Sequence, residues 1–155
     1  MRIGIGFDLH PLKQGFRLVV GGVEVPFSKG LCGWSDADVL VHAVIDALLG
    51  AAGLGDIGQH FPPGEPEYRG ISSLVLLKEV RDKLNGWRVV NIDATIIAER
   101  PRFAPFFKEM CQNLSQALSI SLSQINIKAS TTEGLGLVGR GEGIACFAVA
   151  LLEEV

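Results

Sequence analysis

The chain has 155 residues, enough for one domain with a sizeable core. Its net charge of −3 offers no basic field for nucleic acid. With 48% hydrophobic and only 20% charged residues, it carries an apolar surplus that fits burial against further subunits or a tightly packed monomer. No apolar run reaches the roughly 18 to 20 residues of a membrane span. The first residues lack signal-peptide organisation, and Cys32, Cys111 and Cys146 form no paired motif, so a cytoplasmic chain with reduced thiols is expected.

Arg2 to Phe7 reads as a strand, followed by a hairpin in which Phe16–Val20 and Val23–Val25 flank Gly21-Gly22. Ser35-Asp36-Ala37-Asp38 resembles a capping box opening a helix through about Leu49. That helix is apolar nearly all round and is expected to be buried on most sides. Residues 50–70, rich in Gly and Pro, read as loop, and Ile71 to Leu84 as a second helix stopped by Asn85-Gly86. Val90, Ile92, Ala94 and Ile96 alternate with Asn91, Asp93 and Thr95, marking a strand with one wetter face. Pro105 opens a third helix to about Leu118. Ile125, Ile127 and Ala129 mark another strand, and Gly143 to Leu152 a buried final one. The expected fold is a single α+β domain over residues 1–155, with one mainly β-sheet layer covered on one face by helices.

Asp8 and His10 lie two apart, so on a strand they share a face. The pair is either a polar strand end before a Pro11 turn or half of a site for a borderline-soft metal such as zinc. Asp38, His42 and Asp46, spaced four apart, share one face of the greasy helix. This stripe is either an ordinary surface or the source of a third ligand, His42, with Asp46 or Asp38 accepting a proton from its other ring nitrogen. Three ligands and an open position suit a catalytic zinc.

Gly55-Asp56-Ile57-Gly58 displays a carboxylate on a tight turn, which either grips polyol hydroxyls or stabilises the turn itself. Nearby His60 reads as a loop residue. Ser130-Thr131-Thr132-Glu133-Gly134 follows a strand; its hydroxyls and amides can cradle phosphate oxygens, and Glu133 can hold a hard cation. Gly139-Arg140-Gly141-Glu142-Gly143 adds a guanidinium on a glycine loop. Each of these runs also makes ordinary turns.

Taken together, the segments resemble the 2-C-methyl-D-erythritol 2,4-cyclodiphosphate synthase family of the non-mevalonate isoprenoid pathway. The resemblance runs nearly end to end, through Gly6-Phe7-Asp8-Leu9-His10, Ser35-Asp36-Ala37-Asp38 with His42, and Asp46-Ala47-Leu48-Leu49-Gly50-Ala51-Ala52. It continues through Leu54-Gly55-Asp56-Ile57-Gly58, Asn91 to Ile97, Thr131-Thr132-Glu133 and Gly139 to Ala145. It implies a homotrimer with active sites between subunits and zinc on Asp8, His10 and His42. Ser35, Asp56, Ile57, Gly58, Phe61, Glu65, Ser130 and Thr132 would bind substrate. Ala98, Glu99, Arg100, Pro101, Arg102, Phe103 and Ala104 would line a cytidine pocket contributed by a neighbouring subunit. Glu133 would support Mg²⁺ or Mn²⁺, while Leu137 and Arg140 would lie near a central channel on the three-fold axis.

The implied reaction is intramolecular: the 2-phosphate of a cytidine-diphosphate methylerythritol phosphate attacks the β-phosphorus and expels CMP. Such a reaction needs alignment and charge neutralisation more than a strong base. The chain departs from the family pattern at Trp34, where His is usual, which leaves Thr131 as the better candidate for transition-state stabilisation. Phe61-Pro62-Pro63-Gly64-Glu65 lacks a usual carboxylate, Ser130 replaces a frequent Thr, and Leu137 a frequent aromatic residue. The rival expectations are a zinc hydrolase with Asp46 or Glu133 as general base, and a non-catalytic trimer binding nucleotides or isoprenoid phosphates.

Overall fold

A computed structural model describes residues 1–155. Five strands form one mixed sheet: β1 (Arg2–Lys13), β4 (Gly30–Leu31), β5 (Trp87–Ile97), β6 (Ile125–Ser130) and β7 (Gly143–Glu154), in the order β4-β1-β7-β5-β6. All neighbours are antiparallel except β5 and β6, whose parallel pairing requires a crossover, here helix α4 (Phe107–Leu118). The expected hairpin shortens to β2 (Val19–Val20) and β3 (Val23–Glu24), which pair only with each other. Gly21 and Gly22 make its two-residue turn with φ of 60° and 71°, a left-handed geometry that favours glycine.

Helix α1 (Val39–Ala52) lies across β1 and β7, buried nearly all round as its sequence predicts. Its seat is set by two missing side chains. A Cβ on Gly4 would collide with the Ala47 carbonyl and Ala51 amide, and one on Gly6 with the Ala43 carbonyl. Helix backbone thus rests directly on strand backbone. On β1 the even-numbered residues face α1, so Asp8 and His10 point the same way as Gly4 and Gly6. Helix α3 (Ser73–Lys83) and α4 complete the helical layer.

Several boundaries differ from expectation. Strand β1 does not stop at Pro11; it continues to Lys13, because the Pro11 carbonyl accepts the Cys32 N–H (3.0 Å) and Leu12 pairs with Leu31 of β4. The cap of α1 is Asp38, not Ser35: Asp38 Oδ1 accepts the Val41 N–H. The expected loop over 50–70 contains the end of α1, a single turn α2 (Ile57–His60) and a 3₁₀ turn (Pro66–Tyr68). A second single turn, α5 (Gly136–Gly139), precedes β7. In β5 a bulge inserts Val90, so Val89 and Ile92 both reach the core while Val90 drops out of the alternation.

The sheet face away from the helices is apolar. Ile3, Ile5, Phe7 and Leu9 of β1 project from it, 71%, 69%, 49% and 38% exposed, next to Phe147 and Val149 of β7. No helix is long and apolar enough to cross a membrane.

Candidate metal centre

Asp8, His10 and His42 converge from β1 and α1, their ligand atoms all within 4.8 Å of one another. Asp8 Oδ2 lies 2.9 Å from His10 Nε2 and 3.1 Å from His42 Nδ1. Each imidazole is held by its other nitrogen: His10 Nδ1 is 3.1 Å from the Cys32 carbonyl, and His42 Nε2 is 2.7 Å from Ser73 Oγ. A carbonyl can only accept, so His10 carries a proton on Nδ1 and aims Nε2 inward. One carboxylate oxygen and two ring nitrogens thus face a common point, the donor set of a zinc-type cation.

Burial opposes the charged form of Asp8, but hydrogen bonds from His10 and His42 outweigh it and hold its carboxyl at about 2. Burial likewise works against a charged His10, yet Asp8 beside it raises the imidazole above its usual value. The centre therefore concentrates negative charge and basic nitrogens in a partly buried pocket.

That pocket, of about 210 Å³, is walled by Trp34, Ser35, Ile57, Gly58 and Phe61 from the expected set, joined by Pro63, Tyr68 and Leu76. Ser35 Oγ also lies 3.1 Å from His42 Nε2. Trp34 donates its indole N–H to the Glu65 carbonyl (2.9 Å) and carries Arg69 over its ring (5.8 Å), fastening the 61–70 segment beside the centre. Glu65 thus meets the site through its backbone. Asp56 is exposed and caps α2, accepting the Gln59 N–H (3.0 Å). His60 donates to or accepts nothing in the centre; its Nε2 faces the Leu54 carbonyl (2.8 Å).

The expectation that Asp38 or Asp46 orients His42 needs correction. Both carboxylates are engaged by backbone amides. Asp38 accepts from Gly21 (2.9 Å), Gly22 (2.7 Å) and Val41 (3.1 Å), and Asp46 from Ile57 (2.7 Å). The groups that reach the outer nitrogen of His42 are Ser35 and, nearer, Ser73, itself bonded to Asp36. Neither Ser73 nor Asp36 stood out in the sequence, because a Ser at a helix start and an Asp in a turn are commonplace.

A second cleft, of about 340 Å³, is lined by Ala98, Glu99, Pro101, Arg102, Phe103 and Ala104, with Phe107, Ala129, Ser130 and Thr131. Arg100 turns instead into a cavity of about 320 Å³ with Lys29 and Arg140. Glu99 accepts the backbone N–H groups of Thr132 (3.3 Å) and Gly134 (3.2 Å), shaping the loop on which Glu133 sits with φ 55°. Leu137 borders another cavity with Leu9 and His10. The 340 Å³ cleft and the metal pocket share no residue within one chain.

Fold and site together define an α+β protein with a His₂Asp cluster that could hold a metal ion, open to a pocket. Residues 1–153 match the model of the YgbB family, and the chain belongs to that family. Among its relatives, the 2-C-methyl-D-erythritol 2,4-cyclodiphosphate synthase of Syntrophomonas wolfei is 56% identical, with 99% of each chain covered. The synthase of Pelotomaculum thermopropionicum is also 56% identical, covering 99% of this chain and 96% of its own. Of solved structures, the CDP complex of IspF from Plasmodium falciparum superposes with a TM-score of 0.87 at 34% identity, over 99% of this chain and 96% of that one. The bifunctional IspDF of Campylobacter jejuni gives 0.95 at 38% identity; this chain spans 99% of itself and 42% of that longer protein.

Proposed function

We propose that the metal centre and the 98–104 cleft are the two halves of one active site, completed where chains of a homotrimer meet. The chain converts 4-diphosphocytidyl-2-C-methyl-D-erythritol 2-phosphate to 2-C-methyl-D-erythritol 2,4-cyclodiphosphate and releases CMP. The observation that carries the reading is the convergence of Asp8, His10 and His42 in a chain more than half identical, end to end, to synthases of that reaction.

Asp8, His10 and His42 would hold zinc, which when bound supplies Lewis-acid polarisation of phosphoryl oxygens. Glu133, an exposed carboxylate, suits Mg²⁺ or Mn²⁺, since such ions take one or two carboxylates and complete their shell with phosphate oxygens. The chain's own residues align the reactants. Asp56, Ile57 and Gly58 receive the methylerythritol part, with Ser35 and Phe61 on the pocket wall. The 98–104 cleft takes the cytidine; the Plasmodium relative was solved as a CDP complex, which supports a cytidine nucleotide as ligand. Ser130, Thr131 and Thr132 line the diphosphate's place; the Ser130 and Thr132 hydroxyls donate to the Thr131 and Leu135 carbonyls, and Thr131 stabilises charge on the reacting phosphate. The 2-phosphate oxygen is already anionic, so no side chain need remove a proton from it.

Two features support a subunit boundary: the half-sites share no lining within one chain, and the outer sheet face exposes an apolar patch. Leu137 and Arg140 then lie toward the three-fold axis.

Incubating purified protein with this substrate, Zn²⁺ and Mg²⁺, and following products by mass spectrometry, tests the reading. CMP and the cyclic diphosphate are expected in equal amounts. Linear phosphate products would favour a zinc hydrolase, and binding of CMP without turnover a binding protein; either result overturns the cyclisation.

A further inference from the structure

We infer that Ser73, backed by Asp36, is a positioning residue that fixes which nitrogen of His42 faces the metal. The inference rests on reading Asp8, His10 and His42 as a metal centre. Only three polar or charged residues are buried: Asp38, His42 and Ser73. Asp38 serves the α1 cap and the hairpin turn, which leaves His42 and Ser73 as a bonded pair, Nε2 to Oγ 2.7 Å.

Ser73 brings one hydroxyl hydrogen to this pair, and Asp36 takes it. Asp36 Oδ1 accepts the Ser73 hydroxyl, and Oδ2 accepts the Ser73 N–H at 2.9 Å. A carboxylate is the stronger acceptor, because the bond is charge-assisted. With its hydrogen committed to Asp36, Ser73 Oγ can only accept from His42. The ring therefore keeps a proton on Nε2, and Nδ1, hydrogen-bonded to Asp8 Oδ2 at 3.1 Å in the metal-free chain, is the nitrogen left to a cation. Ser35 Oγ, 3.1 Å from the same Nε2, accepts the Ala37 N–H but keeps its own hydroxyl hydrogen free, so the constraint on the ring comes from Ser73. A chain Asp36–Ser73–His42 thus reserves Nδ1 for the centre from segments 37 residues apart.

Asp36 also receives the first backbone N–H of α3, so a purely architectural role must be separated from positioning. Two readouts do so. Nitrogen-15 NMR of metal-free protein reports the tautomer of His42, and competition with a chromophoric chelator reports zinc affinity. The unmodified chain is expected to hold His42 with a proton on Nε2. In Ser73→Ala the tautomers mix and zinc affinity falls about 10- to 100-fold, while Ser73→Thr, which keeps an oxygen, retains both. Asp36→Ala, which frees the Ser73 hydroxyl to turn toward His42, shifts the tautomer the same way and serves if Ser73→Ala fails to fold. An Nδ1–H tautomer in the unmodified chain, or a Ser73→Ala protein with unchanged tautomer and zinc affinity, overturns the inference. Absence of zinc binding with an intact Nε2–H tautomer refutes the metal reading instead.

Discussion

Gly6 sits so close under Ala43 that any side chain at position 6 would strike the Ala43 carbonyl oxygen. This contact seats α1 on β1, and the residue before Ala43 is His42, the proposed metal ligand. Gly6→Ala must therefore push the helix away from the strand. Overpacking of this kind costs about 1–3 kcal/mol. Denaturant unfolding should show that loss, accompanied by weaker zinc binding as His42 moves from Asp8. Unchanged stability would contradict the direct backbone-on-backbone seat.

Asp38 provides the clearest pH signature. Burial, with Asp36 nearby, pushes its carboxyl up to about 6 despite three amide donors. An ordinary Asp has a value of about 3.9. The folded chain thus binds this proton more tightly than the unfolded chain does. Its contribution to stability is complete below about pH 3.9 and is lost as pH rises through about 6. Asp38→Asn cannot titrate and loses an acceptor for Gly22, so it should be less stable at acid pH but show a flatter profile between pH 4 and 6. Parallel stability curves for the two proteins in that window would disprove the assignment. Asp8, held at about 2, acts with opposite sign and only at lower pH.

The parts of this site governed by local periodicity were legible in the sequence. Two-residue spacing put Asp8 and His10 on one strand face, and four-residue spacing put His42 on a helix stripe. What joins them was not. Ser35 and Asp38 are both good cap residues, and the choice of Asp38 follows from the amides of Gly21 and Gly22, which also need an acceptor. The Ser73–Asp36 link spans 37 residues and leaves no periodic trace. The strand read as ending at Phe7, with a Pro11 turn as one reading beyond it, yet β4 and Cys32 supply partners that let it continue to Lys13. The bulge at Val90 and the single turns α2 and α5 fall below the length at which periodicity registers.

Metal binding should tighten as pH rises. In the metal-free chain Asp8 raises the affinity of His10 for a proton, against the effect of burial. Zinc must displace that proton, so acidification below the raised value weakens binding and calorimetry should detect proton release. His42→Ala, which removes one of three ligands, should abolish both stoichiometric zinc and turnover. Affinity constant between about pH 5 and 8 would be incompatible with His10 as a ligand.

Trp34 holds the 61–70 segment by one indole hydrogen bond to Glu65 and by the Arg69 stack. Trp34→Phe keeps an aromatic face for Arg69 but removes the N–H. A net hydrogen bond is worth about 0.5–1.5 kcal/mol, so KM should rise about two- to twelve-fold with kcat little changed. A large fall in kcat at constant KM would instead give Trp34 a part in the chemical step.

The apolar outer sheet face gives the assembly its test. Ile5 is 69% exposed and flanked on β1 by Ile3 and Phe7. In an isolated chain, Ile5→Asp on such a surface would change stability by no more than about 0.5 kcal/mol. In a trimer packed through this face it buries an unpaired carboxylate, which is costly. Sedimentation velocity should find the unmodified protein as a trimer and Ile5→Asp as smaller species. On the proposed assembly activity should fall in step, since it joins across this boundary a metal pocket and a 98–104 cleft that share no lining residue within one chain. A trimeric, fully active Ile5→Asp protein would show that this face is not where the chains meet.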